Sequence, residues 1–68
     1  MKQISIKAAR INKDLTQKDL AKRLNVSNKT VSNWENGRSV PKADKIEALC
    51  SILEMPYDQI NFLPRNHL

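Results

Sequence analysis

The chain has 68 residues, with 12 Lys or Arg against 7 Asp or Glu, a net charge of +5 and a pI near 9.7. A chain this size makes one domain and buries only about 60% of the surface it exposes when unfolded, too small a core for a large active-site cleft. The single cysteine, Cys50, excludes an intramolecular disulfide framework and a multi-cysteine zinc site, and no apolar run is long enough for a membrane span or signal-peptide core.

Helical spacing recurs along the chain, and sustained period-two alternation does not, so the expected fold class is all-α. Ile4, Ala8, Ile11 and Leu15 stand at i, i+4, i+7 and i+11 and predict a first helix, with Asp14 as a left-handed residue at its end. Thr16 caps the second helix, with Asp19 as the reciprocal partner of a capping box and Leu15 and Leu20 placed for a hydrophobic staple. Leu20, Ala21 and Leu24 form its apolar stripe, and Asn25 can take the left-handed conformation that ends it. Ser27 caps a third helix over residues 28–36, which Gly37 stops. After a loop at 38–42 containing Pro41, a fourth helix carries Ala43, Ile46, Leu49, Cys50 and Leu53 on one face. Pro56 opens a short fifth helix through Tyr57 and Ile60, and Pro64 closes the ordered part. The reading is a compact five-helix domain over residues 1–63 with a short C-terminal tail at 64–68.

The chemistry concentrates in residues 17–36. Two helices joined by so short a turn cross steeply and expose the outer face of the second. That face is unusual: V-S-N-K-T-V-S-N-W, residues 26–34, displays Asn28, Lys29, Ser32 and Asn33 where better helix formers would serve a plain solvated surface. These four lie at i, i+1, i+4 and i+5, opposite Val31 and Trp34. An exposed helix fits the B-DNA major groove, roughly 12 Å wide, where Asn can bind adenine N6 and N7, Lys can reach guanine O6 and N7, and Ser suits several bases. The charge points the same way. Residues 1–45 hold eleven of the twelve basic side chains, which suggests a polyanionic partner, nucleic acid before a membrane surface.

The stretch L-T-Q-K-D-L-A-K-R-L-N-V-S-N-K-T-V-S-N-W-E-N-G resembles the helix-turn-helix core of the lambda-type phage repressors and Cro proteins, and the similarity runs from Ile6 to about Leu63. Its specific parts are T-Q-x-x-L-A, the V-S turn, the spaced Val31 and Trp34, and W-E-N-G with the later Pro41. The family usually has Gly where Asn25 stands, a mild departure. The resemblance implies a lambda-repressor-like domain that binds double-stranded DNA in sequence-specific fashion. Asn28, Lys29, Ser32 and Asn33 match base-reading positions. Gln17, Ser27, Asn36, Arg38 and Lys42 match positions that meet phosphates. Arg10 and Glu35 match an ion pair seen in some phage repressors, a structural brace that also fixes Arg10 near a phosphate. Glu35 sits in the last turn of its helix, where the dipole disfavours an anion, so it needs another partner.

The reading that follows is a Cro-like transcriptional repressor that inserts its third helix in a pseudo-palindromic operator and excludes polymerase. No cofactor, metal or small-molecule ligand is expected, and without a sensing domain occupancy would follow protein concentration. A homodimer is expected, at least on DNA, through Tyr57, Ile60, Phe62 and Leu63 at the end poor in basic residues. The competing reading is a protein-interaction module or antitoxin-type regulator with the same fold. An enzyme is not expected: Cys50 lies on an apolar stripe as an inert thiol, His67 is terminal and solvated, and no phosphate loop or HExxH-type set occurs. The localisation expected is cytoplasmic.

Overall fold

Local capping chemistry sets the element boundaries. In the computed structural model, which describes residues 2–63, the order is strand β1 (Ile4–Ser5), helices α1 (Ile6–Asn12), α2 (Gln17–Leu24), α3 (Asn28–Glu35) and α4 (Ala43–Leu53), a 3-10 turn (Tyr57–Gln59) and strand β2 (Ile60–Asn61). Ser5 Oγ accepts the Ala8 N–H at 3.0 Å and starts α1. Thr16 and Asp19 form the full capping box, with Thr16 Oγ1 accepting from Asp19 N at 3.0 Å and Asp19 Oδ2 accepting from Thr16 N at 2.9 Å. The Thr16 backbone N–H, and then its hydroxyl, hold the Asp19 carboxyl below its ordinary 3.8.

Left-handed residues end the helices. Asp14 and Asn25 take φ 58° and 57°, and Gly37 takes 74°. Glu54 ends α4 at φ 56°, a conformation that costs most L-residues about 1–2 kcal/mol. A carboxylate there also opposes the helix dipole. Lys13 Nζ meets Glu54 Oε1 at 3.0 Å, an exposed pair that offsets at most about 1 kcal/mol of this.

The core sits where all four helices converge. It comprises Ile6 and Ala9 of α1, Leu20, Ala21 and Leu24 of α2, Val31 and Trp34 of α3, and Leu49 and Leu53 of α4, closed by Ile60 and Phe62. Ala21 is buried on α2, which packs against both α3 and α4. Lys45 of α4 reaches across to donate to the Leu24 carbonyl at 2.9 Å, which satisfies an orphan acceptor at the C-terminus of α2 and complements its dipole.

Several sequence-based expectations need correction. No fifth α-helix forms: after Pro56 (ψ 155°) the chain makes one 3-10 turn, and Ile60 is extended at φ −114°, ψ 134°. The β-branched Ile60 instead pairs with Ile4, and Asn61 with Ser5, in a two-stranded parallel ladder, so the all-α helix-turn-helix fold holds with four α-helices in place of five and a two-residue strand pair beside them. Two-residue strands are too short to show an alternating pattern. The expected apolar stripe of the first helix is also wrong. Ser5 caps the helix after Ile4, which belongs to β1, and the residues buried on α1 are Ile6, Ala9 and Arg10, whereas Ile11 is 53% exposed. The third helix ends one residue early, with Asn36 as its cap. On α4, Ala43 is exposed, Ile46 and Cys50 are half-buried, and burial pushes the Cys50 thiol up. The tail at 64–68, with Pro64 and His67, lies outside the described residues.

Of the four candidate dimer contacts, Ile60 and Phe62 are buried in the core and cannot serve, while Tyr57 and Leu63 are 65% and 73% exposed. Phe62 lies under the Tyr57 ring, stacked at 5.7 Å between centroids. No helix among the described residues is long and apolar enough to cross a membrane.

Candidate nucleic-acid interface

The turn at residues 25–27 fixes how α3 is presented. Asn25, left-handed, donates to the Lys22 carbonyl at 3.2 Å, and Val26 N–H to the Ala21 carbonyl at 3.0 Å, which consumes the last acceptors of α2 while the chain reverses. Ser27 then starts α3: its Oγ accepts from Thr30 N at 3.1 Å and lies 2.9 Å from Thr30 Oγ1. Ser27 is thus occupied as a cap, and Thr30, not singled out in the sequence, is its second partner.

Beyond that cap the two faces of α3 separate cleanly. Val31 is fully enclosed and Trp34 buried, which fixes the rotation of the helix. Asn28 and Lys29 are exposed and Ser32 and Asn33 half-buried, all on the face turned away from the core. The side chains of Asn28, Lys29 and Asn33 make no hydrogen bond to other described residues, so their donors and acceptors are available to an external partner. Ser32 Oγ accepts from Asn36 Nδ2 at 3.2 Å.

A buried polar network braces the edge of this face. Arg10 Nε donates to Glu35 Oε2 at 2.7 Å and its Nη2 to Glu35 Oε1 at 3.2 Å, while Nη1 donates to the Leu15 carbonyl at 2.7 Å. Glu35 Oε1 also accepts from Gln17 Nε2 at 2.9 Å. The side chains of Arg10 and Glu35 are only 10% and 2% exposed. One carboxylate therefore ties the C-terminal turn of α3 to α1 and to the first residue of α2. The bidentate fork suits a guanidinium, and the cation answers the unfavourable dipole at the end of α3. The resemblance implies a phosphate contact for Gln17; the structure turns its amide inward to Glu35, leaving one amide proton uncommitted. The position of Glu35 against its own dipole was the readable signal of such a network, but nothing local identified Gln17 as a member.

The remaining predicted residues surround this core of the site. The backbone N–H groups of Gln17 and Lys18 are not used by the capping box and find no partner among the described residues, an arrangement suited to an anion. Arg38 and Lys42 are exposed in the loop after α3, and neither joins an ion pair among the described residues. No group of three metal-ligating side chains occurs among the described residues.

A tight two-helix turn with an outward second helix defines a helix-turn-helix protein. The chain belongs to this family: the family model described as helix-turn-helix matches residues 6–60. The family match and one phage-repressor relative agree with the likeness to lambda-type phage repressors. Over 37 residues, 54% of this chain, it is 54% identical to the 26 kDa repressor protein of Escherichia phage HK022. Over 51 residues, 75% of this chain, it is 31% identical to the HTH-type transcriptional activator BcrR of Enterococcus faecalis. The matched regions are 16% and 25% of those two proteins, so the chain spans a minor part of each. No solved structure matched significantly.

Proposed function

We propose that this chain is a sequence-specific DNA-binding transcriptional regulator that lays α3 in the major groove of duplex DNA. The observation that carries this reading is the outward face of α3. Asn28, Lys29 and Asn33 have no side-chain partner among the described residues, and the buried Val31 and Trp34 fix that face outward. Asn28 and Asn33 offer the paired donor and acceptor that matches adenine, Lys29 the donor that matches guanine, and Ser32 a weaker contact. Phosphate contacts flank this face. The first-turn N–H groups of α2 and the free amide proton of Gln17 meet one strand, with Arg10 held alongside by Glu35, and Ser27 adds a contact at the start of α3. Asn36, Arg38 and Lys42 meet the other strand. No chemistry is performed on the DNA; the effect is occupancy of the site. A Cro-like repressor, blocking polymerase, is the form of regulation we favour.

One such domain reads only a few base pairs, and specific sites commonly use two domains roughly 34 Å apart on one face of the DNA. The proposed pairing surface is the exposed remnant of the sequence-based set, Tyr57 and Leu63. Selection from random duplex DNA at about 150 mM salt, where phosphate-only binding is strongly weakened, tests the reading. An enriched inverted repeat is expected, with half-sites about one helical turn apart. Enrichment of no sequence by the folded protein would remove autonomous readout and leave the α3 face to a protein partner.

A further inference from the structure

Charge on α2 is sorted by flank. Lys18 and Lys22 are one turn apart on α2 and border the same groove as Asn28 at the start of α3, whereas Asp19 and Arg23 form the adjacent row of the helix and do not line that groove. The open groove is floored by Ala21 and Val26, and no acidic residue lines it. Asp19, the only acid on α2, is committed to Thr16. Some cations are engaged, Arg10 with Glu35, Lys13 with Glu54 and Lys45 with the Leu24 carbonyl, whereas Lys29, Arg38 and Lys42 of the proposed DNA face are unpaired among the described residues. Lys18 and Lys22 have no such partner among the described residues. Like charges at i and i+4 destabilise an isolated helix slightly, so local helix stability does not account for the pair.

We infer that Lys18 and Lys22 form a direct phosphate clamp, each ammonium neutralising one phosphate of the backbone strand that passes the start of α3. The inference rests on the proposed DNA reading and extends it to this flank of α2. Asn28 is the link. It lines this groove and belongs to the base-reading face, so a strand whose base meets Asn28 runs within reach of both lysines. A lysine suits this task as a compact point charge on a flexible stem and carries no sequence preference.

The test is the salt dependence of binding to one selected duplex, for the full chain and for Lys18→Gln, Lys22→Gln and the double variant. Lys2→Gln is the control for loss of one charge on the strand side of the molecule. Gln matches Lys in helix propensity, and circular dichroism checks that each variant is folded. Each α2 substitution is expected to lower the magnitude of the slope of log K against log salt by about 0.9, and the pair by about twice that, with base preference unchanged. Slopes equal to that of Lys2→Gln, with the native chain still bound steeply, would overturn the clamp alone and assign the flank to an acidic protein surface or to solvent. Failure of the native chain to bind duplex DNA would overturn both the clamp and the reading beneath it.

Discussion

Glu35→Ala is expected to bring the domain close to unfolding at room temperature. The substitution strands the Arg10 guanidinium, which is 10% exposed, and takes the acceptor from Gln17 Nε2. Removing one member of a buried pair costs about 3–5 kcal/mol because the other charge stays behind uncompensated. The whole domain, at about 0.05–0.15 kcal/mol per residue, has only roughly 3–10 kcal/mol to lose. The melting temperature should therefore fall by at least about 12 °C, at about 4 °C or more per kcal/mol for a chain this small. Replacing both members with apolar residues, as in Arg10→Met with Glu35→Leu, should recover much of that loss, since the pair itself has already given up its hydration. Thermal unfolding followed by circular dichroism decides it. A loss below about 1 kcal/mol for Glu35→Ala would mean that the pair behaves as a solvated one.

The second large effect concerns recognition. Asn33→Ala should weaken binding to the selected duplex by about 5- to 150-fold, the roughly 1–3 kcal/mol that a bidentate base contact contributes to discrimination. The loss should be confined to one base pair of the site: duplexes altered at that position should bind the variant as well as the selected one does. Lys42→Ala, by contrast, should weaken all sequences alike and reduce the salt slope. Unfolding cannot mimic the first result, because Ala is the better helix former and makes α3 no less stable. Equal weakening on every duplex would move Asn33 from base reading to backbone contact.

Much of this fold was legible because its boundaries are made by local chemistry. Thr16, Asp19 and Ser27 cap, and Asp14 and Asn25 turn left-handed, for reasons contained within three or four residues of each. The β1–β2 pair was not legible, since Ile60 becomes a strand only when Ile4, at the other end of the chain, supplies its partner. Periodicity misled at α1 because Ile4 and Ile11 fit a helical stripe that Ser5 interrupts and that Arg10 replaces on the buried side. The same long-range dependence hid the Lys45 bond to Leu24 and the inward turn of Gln17. The outward face of α3 could be read because polar residues of poor helix propensity marked it locally. Its orientation came from Val31 and Trp34, three residues apart on the opposite side of the helix.

The central claim is that this face, and not the Tyr57–Leu63 end, meets DNA. Titrating a selected duplex into isotope-labelled protein at about 150 mM salt and following amide resonances by NMR tests it most directly. The largest shifts are expected at residues 28–33 and in the side-chain amide signals of Asn28 and Asn33, with smaller ones at the start of α2 and in the 38–42 loop. Shifts centred on Tyr57 and Leu63, with α3 unmoved, would contradict it.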